Sequence, residues 1–260
     1  MEKVSGGHIT GIIPARFAST RFPGKPLALI GGKPMIRLVY EQASRILSSV
    51  FVATDDVRIY DAVRGFGGNV VMTSPDHRSG TDRCAEAVSV IENETGSAPE
   101  TIINIQGDEP FIRPDQISIL ASCFDDRDVE IATLIRRVEK DEDLFNPNQP
   151  KVVVELSGDA IYFSRSVIPY LRGEKTEEWT SKHTYYKHLG IYGYRKDTLL
   201  KITKLSPGPL EIAESLEQNR WLENGFRIRT AVTEWESIGI DTPEDLENAK
   251  VFIARTENKI

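Results

Sequence analysis

Short runs of β-branched residues alternate with helix-forming segments through the first half of this 260-residue chain, and this alternation most constrains its fold. Strands are predicted at residues 8–14, 50–54, 69–72, 101–105 and 131–137. Apolar residues at three- and four-residue spacing predict helices between them, at residues 34–47, 57–66, 81–94 and 114–124. Such alternation is typical of a parallel sheet with crossover helices. We therefore predict an α/β fold with a three-layer, mainly parallel, Rossmann-like sheet.

The pattern changes after about residue 140. Three predicted strands follow one another without good crossover helices, at residues 152–156, 160–164 and 189–194. Strands joined in this way favour an antiparallel section. We expect one domain over residues 1–260 that carries this section as an inserted lobe at about 140–205. The polar segment 172–183 is predicted to be a mobile loop within it.

The end of the chain returns to the earlier pattern, with a predicted helix at 209–224 and a strand at 227–233. The start of the last helix is well marked. Thr242 is a suitable N-cap, Pro243 suits the first helical position, and Asp245 stands three residues after the cap.

The overall charge excludes some classes of partner. The chain has 32 Lys and Arg against 39 Asp and Glu, a formal net charge of −7, which argues against a general nucleic-acid binder. No apolar run is long enough to span a bilayer, and no signal pattern is recognised at the start, so we expect a cytoplasmic protein without a membrane partner. The two cysteines cannot form a disulfide framework.

The positive charge is concentrated near the start of the chain. The first forty residues hold six Lys and Arg and one Glu. Three of the cations, Arg16, Arg21 and Lys25, lie on the loop after the first predicted strand, where cations suit a triphosphate. The loop is not a P-loop, because Ser19 replaces the first glycine and Pro26 follows the lysine. The alternative is an ordinary exposed basic loop.

Two aspartates occupy comparable positions at strand ends. Asp108 follows the strand at 101–105, and Asp241 directly precedes the last helix. Mg²⁺ usually binds one or two carboxylates together with water and phosphate oxygens, so this pair is suited to magnesium. Taken alone, Asp108 could equally form a turn, and for Asp241 alone a turn or N′ role is the preferred interpretation. Two D-x-D motifs, at 126–128 and 141–143, are predicted to be solvated turns.

Two further residues have more than one interpretation. On the predicted helix from 209, Glu217 has Trp221 among its apolar neighbours at three- and four-residue spacing. It is therefore either half of a buried salt bridge or, with Gln218 beside it, an acceptor for sugar hydroxyls. His188 lacks metal-ligand spacing, and a core or turn role is its default interpretation.

Seven motifs, in this order along nearly the whole chain, resemble those of the 3-deoxy-manno-octulosonate (Kdo) cytidylyltransferases, or CMP-Kdo synthetases. The motifs are IIPAR at 12–16, STR at 19–21, PGKP at 23–26, His77 with SGTDR at 79–83, QGDEP at 106–110, HLGIYGY at 188–194 and DTPEDL at 241–246. The resemblance implies a sheet of the sugar nucleotidyltransferase, glycosyltransferase-A-like type, with a smaller antiparallel dimerisation lobe. It also implies a homodimer.

The resemblance further implies the reaction CTP + Kdo → CMP-Kdo + diphosphate for lipopolysaccharide biosynthesis, by in-line attack of a magnesium-activated anomeric hydroxyl on the α-phosphate. Arg16, Lys25 and Asp108 would be catalytic, and Asp108 and Asp241 would hold Mg²⁺. The implied CTP-binding residues are Pro14, Ala15, Arg16, Ser19, Arg21, Lys25, Arg78, Ser79, Gly80, Thr81 and Gln106. The implied Kdo-binding residues are Gln106, Arg165, His188, Tyr192, Glu217 and Gln218.

The sequence departs from the family pattern around His77. Ser74-Pro75 and Arg78 stand where less proline and a smaller polar residue are expected, and Arg78 is interpreted as a further phosphate contact. Two alternatives stay open. One is a cytidylyltransferase for another acidic sugar such as sialic acid, and the other is a non-catalytic nucleotide-sugar-binding protein. The presence of Arg16, Lys25, Asp108 and Asp241 together argues against the second.

Overall fold

A computed structural model describes residues 9–18, 21–236 and 239–257 of the chain. The strands are β1 (Ile9–Ala15), β2 (Leu29–Ile30), β3 (Lys33–Pro34), β4 (Ser49–Thr54), β5 (Asn69–Met72), β6 (Thr101–Asn104), β7 (Ile131–Arg137), β8 (Lys151–Val154), β9 (Ala160–Ser164), β10 (Tyr186–Arg195) and β11 (Arg229–Val232). The α-helices are α1 (Met35–Ala43), α2 (Val57–Gly65), α3 (Gly80–Thr95), α4 (Pro114–Ser122), α5 (Asp141–Phe145), α6 (Trp179–Lys182), α7 (Lys196–Ile202), α8 (Pro209–Glu214), α9 (Glu217–Glu223) and α10 (Pro243–Glu257).

The chain divides into two compact units, one of residues 1–118 with 237–260 and the other of residues 119–236. The predicted insertion at about 140–205 falls within the second unit. Within the described residues, no helix is both long enough and apolar enough to cross a membrane.

The first unit contains a parallel sheet in the order β6-β1-β4-β5. The chain runs outward from β1 to β4 and β5, and then returns to place β6 on the other side of β1. Ligands in open parallel sheets bind beyond the carboxyl ends of the strands at such a reversal. The strand order therefore predicts a ligand site at the residues that follow β1 and β6.

Apolar residues of these strands form the core of the first unit. Ile12, Ile13 and Val52 are fully buried, as expected for parallel strands covered on both faces. A separate cluster joins Met35 at the start of α1 to Ile240 before α10, together with Ile30, Leu246 and Ala249. This cluster fixes the segment that carries Asp241.

The second unit contains a mixed sheet. β7 pairs in parallel with β11 and antiparallel with β10, and the antiparallel pairing continues from β10 to β8 and from β8 to β9. This confirms the predicted antiparallel section, and the whole arrangement confirms the α/β class with a mainly parallel sheet.

The predicted helix at 209–224 is wrong at one position. Ser215 has a left-handed backbone, with φ of 52°, and separates α8 from α9. The carbonyl oxygens of Glu214 and Ser215 accept hydrogen bonds from the Arg165 guanidinium, at 2.7 and 3.4 Å. Because that side chain takes carbonyls that a continuous helix would use, the chain turns here.

Two predicted irregular segments are also partly helical. The predicted loop at 172–183 contains α6, where Trp179 is buried and stacks on Tyr185. Of the two D-x-D motifs, 126–128 is an exposed turn as predicted. The motif at 141–143 instead begins α5, where Asp143 pairs with the buried Lys187 at 3.2 Å. A buried ammonium needs such a partner, and this requirement decides against a solvated turn.

Candidate active site

A cavity lies at the carboxyl edge of the parallel sheet in the first unit. Its walls come from the end of β1 and the basic loop, the start of α3, the residues after β6, and the segment before α10. The lining residues are Pro14, Ala15, Arg16, Arg21, Lys25, Pro26, His77, Arg78, Ser79, Gly80, Arg83, Gln106, Gly107, Asp108 and Asp241. The structure thus brings together most of the residues predicted to bind CTP and both predicted metal ligands. Thr81 is buried in α3 and is not in this lining, and Ser19 is outside the described residues.

Lys25 joins the two aspartates. Its Nζ donates to Oδ2 of Asp108 at 2.7 Å and to Oδ1 of Asp241 at 3.2 Å. Arg21 adds a second cation, with its Nη1 3.2 Å from Asp241 Oδ2. The Lys25 side chain is only 14% exposed, so these charges interact more strongly than those of a fully solvated pair.

Backbone hydrogen bonds hold the two aspartates next to each other. The N–H of Ile240 donates to the carbonyl oxygen of Asp108 at 2.9 Å. The predicted cap of α10 then fixes the following residues, because Asp245 Oδ2 accepts from the backbone N–H of Asp241 and of Thr242 at 3.0 and 2.9 Å. The Thr242 hydroxyl, which also donates to this carboxylate, is the main cause of the lowered pKa of Asp245.

Gly107 permits the close approach of two strand ends. A Cβ at this position would lie 2.7 Å from the carbonyl oxygen of Pro14, which is shorter than any normal contact. Only glycine therefore allows the loop after β6 to pass the end of β1 without a backbone shift. Asp108 is the next residue, so its position depends on this contact.

The arrangement of Asp108 and Asp241 suits a divalent cation. Both carboxylates lie within reach of one ammonium group, so their oxygens are close together, and Mg²⁺ prefers oxygen ligands. In the parts of the chain that the structure describes, no cluster of three or more His, Cys, Asp or Glu side chains forms a metal site. A cation here would complete its shell with water and substrate phosphate oxygens.

The start of α3 forms the opposite wall. Ser79 is the N-cap, and its Oγ accepts from the backbone N–H of Asp82 at 3.1 Å. The positive end of a helix dipole, together with Arg78 and Gly80 in the lining, makes this wall favourable for a negatively charged or hydrogen-bonding ligand.

Two side-chain networks beside this wall are not among the predicted site residues. Arg83 is 3% exposed, and it donates to Asp55 Oδ2 at 2.7 Å and to Thr73 Oγ1 at 2.6 Å. His77 contacts Glu86, whose pKa is lowered by the hydrogen bonds that it accepts, although burial opposes this shift. One feature of the sequence could have identified Arg83. It lies on α3, four residues after Ser79 and directly before the core residue Cys84.

Within the second unit, His188 lies among aromatic rings. Its centroid is 5.1 Å from that of Phe163 and 5.2 Å from that of Tyr192. Burial lowers the pKa of His188 from 6.5 to about 3, so the ring is neutral at pH 7. Thr133 gives its hydroxyl proton to the carbonyl oxygen of Ile191 at 2.7 Å, so the His188 Nε2 at 3.0 Å acts as the donor to Thr133.

Some buried polar atoms of the second unit have no hydrogen-bond partner among the described residues. The Tyr192 hydroxyl and the Gln218 Nε2 are buried and make no hydrogen bond within the described ranges. The Tyr192 ring meets that of Trp221 edge-on at 5.1 Å, so β10 and α9 lie side by side here. Buried polar groups normally have partners, so these two are suited to a polar ligand.

The remaining predicted sugar-binding residues already have protein partners. Glu217 accepts from Arg220 Nη2 at 2.7 Å, which is the salt-bridge interpretation of this residue. Because α8 ends before Ser215, Leu210 and Ala213 are not on the same helix as Glu217. The Arg165 guanidinium donates to three backbone carbonyl oxygens. A role for either residue in sugar binding stays a prediction.

Comparison with known proteins places the chain in a family. A family model described as Cytidylyltransferase matches residues 10–232. The chain is 59% identical over 248 residues to a 3-deoxy-manno-octulosonate cytidylyltransferase of Parabacteroides distasonis, covering 94% of this chain and 97% of that one. It is 54% identical over 246 residues to the enzyme of the same name from Bacteroides thetaiotaomicron, again covering 94% and 97%.

A solved structure agrees with these relatives. The structure of CMP:2-keto-3-deoxy-manno-octonic acid synthetase complexed with CTP matches with a TM-score of 0.87 and 42% identity, over 96% of this chain and all of that chain. The similarity in sequence and in fold thus extends over nearly the whole length of the chain. The chain belongs to the 3-deoxy-manno-octulosonate cytidylyltransferase family.

Proposed function

We propose that the protein activates Kdo as a nucleotide sugar, in the reaction CTP + Kdo → CMP-Kdo + diphosphate. The observation that carries the proposal is the ion cluster in which Lys25 joins Asp108 and Asp241, in a cavity that also contains Arg16 and Arg21. The names of both relatives include this activity, and the solved structure contains CTP.

The reaction forms one bond to phosphorus and breaks another. The anomeric oxygen of Kdo attacks the α-phosphorus and loses its proton, while the bond from that phosphorus to the oxygen shared with the β-phosphate breaks. Negative charge therefore grows on the departing diphosphate. Arg16, Arg21 and Lys25 line the cavity and would neutralise it, and fixed cations of this kind supply much of the rate enhancement in phosphoryl transfer.

The same site is suited to the predicted cofactor, Mg²⁺. Asp108 and Asp241 would hold the ion, since both carboxylates face one cation already and their oxygens match its preference. When bound, Mg²⁺ would neutralise phosphate charge and lower the pKa of the attacking hydroxyl. In that complex the Lys25 ammonium would be free to contact phosphate oxygens.

Buried groups of the second unit support the proposed sugar site. The unpartnered Tyr192 hydroxyl and Gln218 Nε2 are suited to Kdo hydroxyls, and the neutral His188 ring packs beside Tyr192. A polar site built in this way discriminates strongly between sugars, because the wrong sugar leaves buried groups unpaired.

We also propose that the enzyme is a cytoplasmic homodimer. The free thiols of Cys84 and Cys123 are compatible with a reducing compartment. The homodimer is supported by the family resemblance, and light scattering of the purified protein would test it.

Diphosphate release tests the activity directly. The protein would be incubated with Mg²⁺, each of the four nucleoside triphosphates, and either Kdo or sialic acid. We expect release only with CTP and Kdo. Release with sialic acid and not Kdo would assign the other acidic-sugar activity, and binding of CTP without any release would favour a non-catalytic role.

A further inference from the structure

The basic loop is closed on itself by one backbone hydrogen bond and one aromatic ring. The N–H of Gly24 donates to the carbonyl oxygen of Phe17 at 3.0 Å, which encloses Arg21 in the closed segment. Gly24 has φ of 72°, and a Cβ there would lie 3.0 Å from the Phe17 ring. The ring thus packs directly against the backbone before Lys25. The position of the ring therefore affects the backbone position from which the Lys25 side chain extends.

The Phe17 ring is in turn held by a cation from α2. The guanidinium carbon of Arg58 lies 3.3 Å from the ring centroid. A guanidinium over an aromatic face attracts the ring through its quadrupole, and this contact favours one ring orientation. The contact between Arg58 and the loop is therefore a contact between two side chains.

The guanidinium of Arg58 is itself fixed in place. Its Nε and Nη2 donate to the two carboxylate oxygens of Asp56, at 2.9 and 2.6 Å. The Asp56 carboxylate also caps α2 by accepting from the backbone N–H of Arg58 at 2.9 Å. The side-chain hydrogen bond from Arg58 lowers the pKa of Asp56, so this carboxylate stays charged at neutral pH. A two-point contact of this kind pre-organises the arginine for its contact with the ring.

We propose that Arg58 is a positioning residue for the triphosphate of CTP, which acts through Phe17 to hold the loop that carries Arg21 and Lys25. The proposal rests on the proposed function. Arg58 is not among the described residues that line the cavity, so the route that we propose to CTP runs through the loop. Ordering the loop before CTP arrives reduces the entropy lost on binding. Removal of the contact should therefore weaken CTP binding more than it slows the chemical step.

A purely structural alternative makes a different prediction. In that case Arg58 and Asp56 form an ordinary surface ion pair that supports α2 and nothing else. Such a pair contributes little, and its loss would change both substrates' KM values equally or not at all. Arg64, an exposed arginine on the same helix, provides a matched control.

A double-mutant cycle separates these possibilities. The variants are Arg58→Met, Phe17→Leu and the combination, with Arg58→Lys as the conservative change and Arg64→Met as the control. We expect Arg58→Met to raise the KM for CTP by about two- to fivefold, the range of a cation–π contact at an exposed site. The KM for Kdo, the kcat and the Tm should stay close to wild type. In the Phe17→Leu background the effect of Arg58→Met should disappear, and Arg58→Lys should recover part of the affinity.

Hydrogen exchange at the Gly24 amide gives a readout that does not depend on turnover. We expect faster exchange in Arg58→Met and in Phe17→Leu, and no change in Arg64→Met. Unchanged exchange, or a KM effect of Arg58→Met that persists in the Phe17→Leu background, would overturn the proposal. If the wild type does not turn over CTP, the proposed function fails, and faster exchange in Arg58→Met still supports the contact between Arg58 and the loop.

Discussion

The ammonium of Lys25 lies 2.7 Å from Oδ2 of Asp108, although the two residues are 83 positions apart in the chain. The same ammonium reaches Asp241, so a residue of the basic loop neutralises both predicted metal ligands. This relationship links the two parts of the proposed chemistry, which are cation binding by the aspartates and phosphate binding by the lysine. Under the proposed function the two carboxylates would hold a cation, and the lysine would then be free to contact phosphate oxygens.

Replacing Asp108 should remove activity with little effect on folding. Asp108→Asn keeps the shape of the side chain but removes the charge that would bind Mg²⁺, so we expect kcat to fall at least about a hundredfold. Lys25 keeps Asp241 as a partner, and the free energy of unfolding should change by less than about 1 kcal/mol. Diphosphate release and urea unfolding measure the two effects.

The matched control for this variant is Asp115→Asn. Asp115 is an exposed carboxylate on α4, at 3.9 Å from Arg113. Its replacement should leave both kcat and stability unchanged. Activity of Asp108→Asn close to that of Asp115→Asn would remove Asp108 from the mechanism.

A methyl group at Gly107 should disturb the site through the backbone. The new Cβ would lie 2.7 Å from the Pro14 carbonyl oxygen, so Gly107→Ala should cost about 1–3 kcal/mol of stability and lower kcat by displacing Asp108. Gly65→Ala is the control, since a Cβ there meets nothing within 4 Å. We expect that change to be neutral or slightly stabilising. Equal urea midpoints for the two variants would contradict the close-approach argument.

Strands and capped helices could be predicted from the sequence because their signals are local. β6 was predicted from a run of β-branched residues, and its residues are indeed all buried. The cap of α10 was predicted from Thr242 and Asp245, which exchange the expected hydrogen bonds. The grouping of Arg16, Lys25 and Asp108 followed from the rule that parallel strands present their carboxyl ends at one edge.

The features that could not be predicted depend on partners far away in the chain. Ser215 breaks a good helical pattern because Arg165, about fifty positions earlier, takes the carbonyl oxygens of two adjacent residues. The sequence predicts a solvated turn at Asp143 because its partner Lys187 lies far along the chain, on β10. The pairing of Lys25 with both aspartates likewise needs the backbone bond from Ile240 to Asp108, which no local pattern reveals.

The buried His188 should make stability depend on pH. Its pKa is about 3 in the folded protein and about 6.5 when solvated, so between these values the unfolded chain binds one more proton. Stability should therefore fall as the pH is lowered from 6.5. From pH 7 to pH 5 the wild type should lose about 2 kcal/mol more than His188→Gln.

Urea unfolding at pH 7, 6 and 5 measures this difference. His183→Gln, which changes an exposed histidine, is the control and should follow the wild-type slope. Parallel slopes for the wild type and His188→Gln would show that His188 is not buried as described.

Removal of divalent cations should abolish diphosphate release. We expect EDTA to stop the reaction and added Mg²⁺ to restore it. Asp241→Asn should raise the Mg²⁺ concentration for half-maximal rate at least about tenfold, because even residues that only support a metal ligand typically cost about 10- to 100-fold in affinity. Glu244→Gln, an exposed change in the first turn of α10, should leave this concentration unchanged. A shared Mg²⁺ dependence in the two variants would exclude Asp241 as a ligand.

The fate of the α-phosphate tests the central claim most directly. CTP labelled with ³²P at the α-position would be incubated with the protein, Mg²⁺ and, in parallel reactions, Kdo or sialic acid, and the products separated. The account predicts that the label appears in a sugar nucleotide containing Kdo and that the released diphosphate is unlabelled. Label in the diphosphate fraction, or no transfer to Kdo while sialic acid is labelled, would contradict it.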